Sequence, residues 1–379
     1  MADRIYDRTP KQDGYRMPAE YERQKQIWMC WPERTDVWRD GARPAQQAYV
    51  EVAKAIRRFE PVTMLVNARQ YDHARATLPP EIRVVEMSMN DAWARDTGPV
   101  FLINDAGELR ACDFEFNAWG GLTDGLFFPW DLDDRLARKI CELEMIDSYR
   151  TDGFVLEGGS FHVDGEGTVL TTEMCLLSKG RNPQLTKEQI ECKLRVYLNA
   201  EKVIWLKDGI DPEETNGHID DVACFVRPGE VVCLNEENPN SPFYQASQNA
   251  LHQLSQEKDA KGRSLKVHRL CCPKEPIRLP EDYVIDNTET AKKRSTSDIC
   301  IASYVNFLIV NDGLIVPQYD DENDALAIKQ LQEVFPDRQV VGVHTREIVY
   351  GGGNIHCITQ QQPEGISKEN KERGKNYDE

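Results

Sequence analysis

A chain of 379 residues with 40% hydrophobic and 29% charged side chains carries enough apolar material for a substantial core. Its net charge of −18, from 46 Lys and Arg against 64 Asp and Glu, argues against nucleic acid or an anionic membrane as partner, since both are bound by basic side chains that neutralise phosphate. An acidic cleft would instead gather a small cation. The eleven cysteines are odd in number and form no C-x-x-C pair, and the opening MADRIYDRTPKQDGYRMP has no apolar signal core. The expectation is a reduced, cytoplasmic protein with no membrane span.

In chain order, the apolar run QIWMCWP (26–32) comes first. A helix is predicted over 45–59, with Tyr49, Val52, Ile56 and Phe59 on one face, and then a strand, PVTMLVN (61–67). FLINDAGELRACDF (101–114) reads as a β-hairpin, because a glycine in its turn supplies the positive φ that tight hairpins need. A helix over 132–144 follows, then a second hairpin, FHVDGEGTVLTTE (161–173), and a helix over 186–198 that opens on a Thr-x-x-Gln capping box. The strand KVIWLK (202–207) leads to a third hairpin, CFVRPGEVVCLNE (224–236), and to a helix over 241–254 with Ser241 as N-cap and Pro242 at its first position. SLKVHRL (264–270), a fourth hairpin FLIVNDGLIVPQY (307–319), a helix over 324–335 and QVVGVH (339–344) complete the series. The unit reads as helix, strand, loop, hairpin. Four copies are complete, and a fifth has only its first hairpin strand, NIHCITQQ. Pairing of that strand with 26–32 would close the repeats into a ring without an open sheet edge, as in β-propellers. The expected fold is therefore an α/β propeller of five repeats forming one domain over 1–362. Residues 363–379, almost without apolar content, are expected to be a disordered tail.

The point just before each hairpin holds polar residues that a strand entry does not require. NDAWARDTGP contributes Asp96, EGGSFHVD Glu157, NGHIDD His218 and Asp220, and GGGNIHC Cys357. Asp96 and Glu157 lie 61 residues apart, as do Glu157 and His218, and Cys357 follows after about two further units, so that the fourth unit is skipped. In a closed ring these points converge at one end of the axis. Cys357 differs from the other cysteines by following Gly351, Gly352 and Gly353, which leave room beside the sulfur. His162 and Asp164 lie on the hairpin itself and read as structural. No phosphate-binding loop, GxSxG, HExxH or CxxC is present, so neither metal nor cofactor is expected. A Cys–His pair among carboxylates suits thiolate attack on a cationic carbon. Carboxylates would repel the oxyanion of a peptide bond, but they match the planar fork of N–H donors on a guanidinium.

These blocks, from GYRMPAEYE and WPERTDVWRDG through NDAWARDTGP, FNAWGG, TDGFVLEGGSFHVDGEGT, DPEETNGHIDDVACF and SYVNFLIVNDGLIVPQY to VYGGGNIHCITQQ, resemble the guanidino-group-modifying pentein superfamily and, within it, the agmatine deiminases. The resemblance covers residues 14–362. It implies a five-bladed α/β propeller, commonly assembled as a homo-oligomer, that hydrolyses agmatine to N-carbamoylputrescine and ammonia. It assigns Cys357 as nucleophile, His218 as general acid and base, Asp96 and Asp220 as guanidinium-binding carboxylates, and Glu157 as the carboxylate that orients substrate and His218. Trp93 is carried with them as a further substrate-binding residue. An arginine or peptidyl-arginine deiminase, an amidinotransferase, or a non-catalytic polyamine-binding protein on the same scaffold are the alternatives. Arg95 is the only basic residue close to the site loops in sequence, and on a strand it would point away from Asp96. Glu214, four residues before His218, is the expected partner of agmatine's ammonium.

Overall fold

The computed structural model describes residues 1–211 and 213–367. Their strands fall into five separate sheets with helices between them, a mixed α/β architecture. Four sheets repeat one arrangement. In the first, the hairpin Val100–Asn104 and Leu109–Glu115 leads through helix Leu136–Glu144 to strand Ser148–Val155, which returns parallel to the second hairpin strand. The same path runs from Phe161–Val163 and Thr168–Thr172 through Lys187–Tyr197 to Lys202–Leu206. It recurs from Ala223–Arg227 and Glu230–Asn235 through Tyr244–Leu254 to Lys266–Cys271. It recurs again from Leu308–Val310 and Gly313–Gln318 through Asp324–Val334 to Gln339–His344.

The repeating unit is thus hairpin, helix, strand, and not the expected helix, strand, loop, hairpin. Each strand after a helix pairs with the hairpin behind it, because a parallel partner is reached only through a crossover and the helix supplies one. The fifth sheet joins the two ends of the described chain. Thr359–Pro363 pairs antiparallel with Gln24–Cys30, which runs parallel to Val62–Val66 across helix Arg43–Arg57, and Arg83–Glu86 extends the edge. This is the predicted pairing of 26–32 with NIHCITQQ, and Gln362 Oε1 seals it by accepting from Gln26 Nε2 (2.7 Å) and Trp28 Nε1 (3.0 Å).

Local chemistry accounts for some element ends. Thr186 and Gln189 form the reciprocal capping box read from the sequence. Helix Tyr244–Leu254 starts later than predicted, since Ser241 Oγ accepts from the Phe243 amide (3.3 Å) and caps a turn ahead of the helix. Asp164 takes the amides of Glu166 and Thr168 (2.8 Å each), the structural part expected of it. Part of the expected tail is built into the fold, with Pro363 ending a buried strand and Ile366 bridging to Glu108. Residues 368–379 of that tail lie outside the described residues. Among the described residues no helix is long and apolar enough to cross a membrane.

Candidate active site

The segments entering the first strand of each hairpin bring their polar residues together, as the repeat predicted. Asp96 belongs to the short helix Ala94–Thr97, Glu157 precedes the turn Gly158–Ser160, and His218 precedes the turn Ile219–Asp221 that contains Asp220. Cys357 stands two residues before strand Thr359–Pro363. All five are buried. His218 Nδ1 lies 3.9 Å from Asp96 Oδ2 and 3.9 Å from Asp220 Oδ1, while Cys357 Sγ lies 3.6 Å from Asp220 Oδ2. A cavity of about 820 Å³ is lined by Trp93, Asp96, Trp119, Glu214, Arg294 and Cys357, among others. Trp93 stacks on Trp38 at 5.6 Å and meets Trp119 edge-on at 6.3 Å, so the cavity has an aromatic wall.

The fourth unit is not skipped. Asn306 occupies the equivalent point before Leu308–Val310, and its Nδ2 donates to Cys357 Sγ (3.2 Å) and to Asp221 Oδ1 (3.1 Å). A search for charge and nucleophiles passes over a neutral amide, although its position in the repeat marks it. Two further residues complete the site. Trp119 Nε1 donates to Asp96 Oδ2 (2.8 Å), and Arg181, fully buried, donates to Glu157 Oε1 (2.7 Å). Trp119 sits in the FNAWGG block, whereas nothing in the sequence around Arg181 singles it out.

Glycine makes the convergence possible. A Cβ on Gly159 would stand 2.6 Å from His218 Nδ1, 2.9 Å from Asp220 Oδ2 and 3.0 Å from Asp96 Oδ1, while its amide donates to Asp96 Oδ1 at 2.8 Å. Gly353 leaves room between Trp93 and Cys357, where a Cβ would lie 2.7 Å from the indole and 3.1 Å from the sulfur.

The electrostatics set the resting protonation. Burial pushes the Cys357 thiol well above its usual range, and Asp220, Asp221 and Asp96 push it the same way. Burial works against charge on His218, yet Asp96, followed by Cys175 and Asp220, more than offsets it and raises the imidazole to about 10. Burial also raises Asp96. Against its own burial, Asp220 is held below the ordinary carboxylate range by His356 and His218. Four buried atoms at this point, Glu157 Oε2, Asp220 Oδ1 and both ring nitrogens of His218, have no hydrogen-bond partner among the described residues. Buried polar atoms without partners are costly, so the two carboxylate oxygens ask for a ligand with donors, while the charged imidazole is itself a donor at both nitrogens.

Two expectations about charge around the site change. Arg95 lies on helix Ala94–Thr97 and not on a strand, and it binds Glu20 (3.1 Å) and Gln361 (2.6 Å), but it is not the only cation nearby. Arg34, Lys292, Lys293 and Arg294 line the same cavity, three of them from an irregular segment far along the chain. Glu214 does line the cavity, and it is paired with Arg294 at 2.8 Å.

Carboxylates that draw in a planar cation beside a thiol and an imidazolium define a site for nucleophilic attack on a guanidinium or amidinium carbon. The comparisons with known proteins agree. A model of the Porphyromonas-type peptidyl-arginine deiminase family matches residues 16–363. A Lactococcus lactis protein, named provisionally as an agmatine deiminase, is 67% identical over 96% of this chain and 99% of its own length. The agmatine deiminase of Pseudomonas syringae is 53% identical over 94% of this chain and 97% of its own. The solved structure of the Enterococcus faecalis agmatine deiminase superposes with a TM-score of 0.95 at 64% identity, covering 96% of this chain and all of that one. The chain belongs to this family and, within it, to the agmatine deiminases of the pentein superfamily.

Proposed function

We propose that this cavity hydrolyses the guanidinium group of agmatine to N-carbamoylputrescine and ammonia through a covalent amidino-thioether on Cys357. The observation that carries the reading is the pair of orphaned carboxylate oxygens, Glu157 Oε2 and Asp220 Oδ1, with Asp220 at the Cys357 sulfur. A guanidinium supplies N–H donors in one plane, and two carboxylate oxygens take them with charge assistance. At rest the thiol is neutral and His218 is charged. The arriving cation offsets the carboxylates that hold the thiol proton, so binding itself favours the thiolate. Cys357 Sγ then forms a bond to the central carbon. His218 gives its proton to the departing nitrogen, the C–N bond breaks, and ammonia leaves a cationic amidino-thioether. Neutral His218 next takes a proton from water as the oxygen bonds to carbon. The C–S bond breaks as the adduct's hydroxyl proton passes to the leaving sulfur, replacing the one the thiol gave to solvent when agmatine bound, and the urea product departs. No metal or cofactor is required by these steps.

The five sheets are read as the five blades of one propeller, a reading supported by the shared hairpin, helix, strand pattern and by the pairing of Thr359–Pro363 with Gln24–Cys30. Eleven free thiols fit a reducing, cytoplasmic compartment. Assembly into a homo-oligomer is proposed with them and is tested by sedimentation.

Ammonia release by purified protein from agmatine, arginine and an arginyl peptide tests the function. Agmatine should be strongly preferred. Cys357→Ala should bind agmatine without turnover, and acid-quenched wild type should carry the adduct on the Cys357 peptide. Full activity of Cys357→Ala would overturn the nucleophile, and preference for the peptide would overturn the substrate.

A further inference from the structure

Beneath the proposed site lies a buried set of charged groups that the steps above do not use. His356, next to the nucleophile in sequence, bridges two carboxylates: its Nδ1 lies 2.9 Å from Asp220 Oδ2, and its Nε2 lies 2.9 and 3.1 Å from the two oxygens of Glu20. Glu20 comes from the N-terminal segment, more than three hundred residues away, and is itself buried. Arg95 Nη1 holds Glu20 Oε1 at 3.1 Å, and the Arg95 Nε donates to the His356 carbonyl at 3.2 Å. His162 Nε2 approaches Glu20 Oε2 at 3.5 Å from the neighbouring hairpin.

We propose that Glu20 and His356 are positioning residues for the deimination reaction, fixing Asp220 as an anion with Oδ2 engaged and Oδ1 left open for the substrate. This deepens the reading above and rests on it. Asp220 sits among Asp96, Asp221 and Glu157, where an acidic neighbourhood works against a further negative charge. A cation hydrogen-bonded to Oδ2 resolves that conflict, and the same bond sets the carboxylate rotamer, since Oδ1 is the oxygen 3.9 Å from His218 and the one without a partner. A neutral imidazole could donate to only one of the two carboxylates, whereas the doubly protonated ring donates to both.

The titratable groups around this ring are Glu20 from the N-terminal segment, Arg95 from helix Ala94–Thr97, His162 from Phe161–Val163 and Asp220 from the turn Ile219–Asp221, with Cys357 reaching the same Asp220 oxygen. Burial and Arg95 oppose the ring's charge, yet Glu20 and Asp220 prevail and raise His356 above its ordinary value. Glu20, against its own burial, is held well below the carboxylate range by His356, Arg95 and His162. Glu20, His162 and His356 also have the composition of a metal-ligand set. With both Glu20 oxygens already engaged and a guanidinium at hydrogen-bond distance, charge neutrality is reached without an ion.

Glu20→Gln keeps the shape and removes the charge. His356 then loses its proton at lower pH, Asp220 is less well held as an anion, and the acid limb of kcat/KM for agmatine moves to higher pH. The loss of kcat/KM at neutral pH should be roughly 10–100-fold, the range for partners that orient an active-site group, with most of it in KM because Asp220 binds the guanidinium. His356→Gln should do the same. Glu20→Gln also leaves Arg95 without its buried anion, so its melting temperature should fall, and kinetics are compared at a temperature where both variants are folded. In ¹⁵N-histidine NMR of the wild-type chain, His356 should carry protons on both ring nitrogens at neutral pH, with its resonance identified by loss in His356→Gln. A His356 with one bare nitrogen at neutral pH would overturn the proposal even where the variants fail to fold, as would an unchanged pH profile and kcat/KM in folded variants. If wild type releases no ammonia from agmatine, the functional reading fails, and the NMR experiment still decides the protonation of the bridge.

Discussion

Asp96 does two things at once, and a conservative substitution separates them. Its carboxylate is the principal group holding charge on His218, and it faces the cavity beside Cys357. His218, raised to about 10, stays protonated through neutral pH and loses its charge as pH rises through that value. The step that protonates ammonia should therefore fade only on the strongly alkaline side. Asp96→Asn withdraws the supporting charge, so the alkaline limb of single-turnover ammonia release should move to lower pH. The lost charge-assisted contact should also cost about 1.5–3 kcal/mol in kcat/KM. A limb that stays in place would show that other groups set His218. Glu214 lines the same cavity. Burial lifts its carboxyl to about 7, with Arg294 pulling the other way. Glu214→Gln would leave Arg294 uncompensated in the cavity wall. The agmatine KM should rise, more so at low salt where charges are less screened, and arginine should gain relative to agmatine. An unchanged agmatine-to-arginine ratio would place selectivity elsewhere.

The turn Gly158–Ser160 is the element on which the site depends most directly, since three charged side chains converge on the space that a side chain at position 159 would fill. Gly159→Ala should displace His218, Asp220 or Asp96 and lower kcat by two orders of magnitude or more, because misplacement of about 1 Å alone costs roughly 100-fold. Overpacking of this kind destabilises by about 1–3 kcal/mol, and urea denaturation alongside kinetics separates the two effects. This element also shows what the sequence made legible. The glycine-bearing turns announced all four hairpins, and the recurring polar residues before them announced the cluster, because both are local patterns. The partner of each post-helix strand was not legible, since parallel pairing is settled by packing at a distance and leaves no mark in the strand's own residues. Glu20 and Arg181 escaped for the same reason, as each gains meaning only from a partner elsewhere in the chain. Asn306 escaped differently, by lacking charge.

At the scale of the whole molecule, the sheet that joins the two ends of the described chain also supports the loop that carries Cys357. Gln362 Oε1 serves two buried donors there, Gln26 Nε2 and Trp28 Nε1. Gln362→Ala would leave both unsatisfied, at about 1–3 kcal/mol for each orphaned group. The denaturant midpoint should fall, and turnover should fall with it because Cys357 lies five residues upstream. A stable variant with normal turnover would show the two to be independent. The pairing has a kinetic meaning as well. The hairpin and post-helix strands of four sheets are near neighbours along the chain, although Arg4–Ile5 and Tyr15–Arg16 join the first from a distance, while the fifth sheet unites segments more than three hundred residues apart, and contacts of such separation form late. Closure of the fifth sheet is therefore expected late in refolding, with Cys357 placed only then. Regain of catalysis is a clock for that closure, and far-ultraviolet circular dichroism is a clock for the helices and hairpins formed before it.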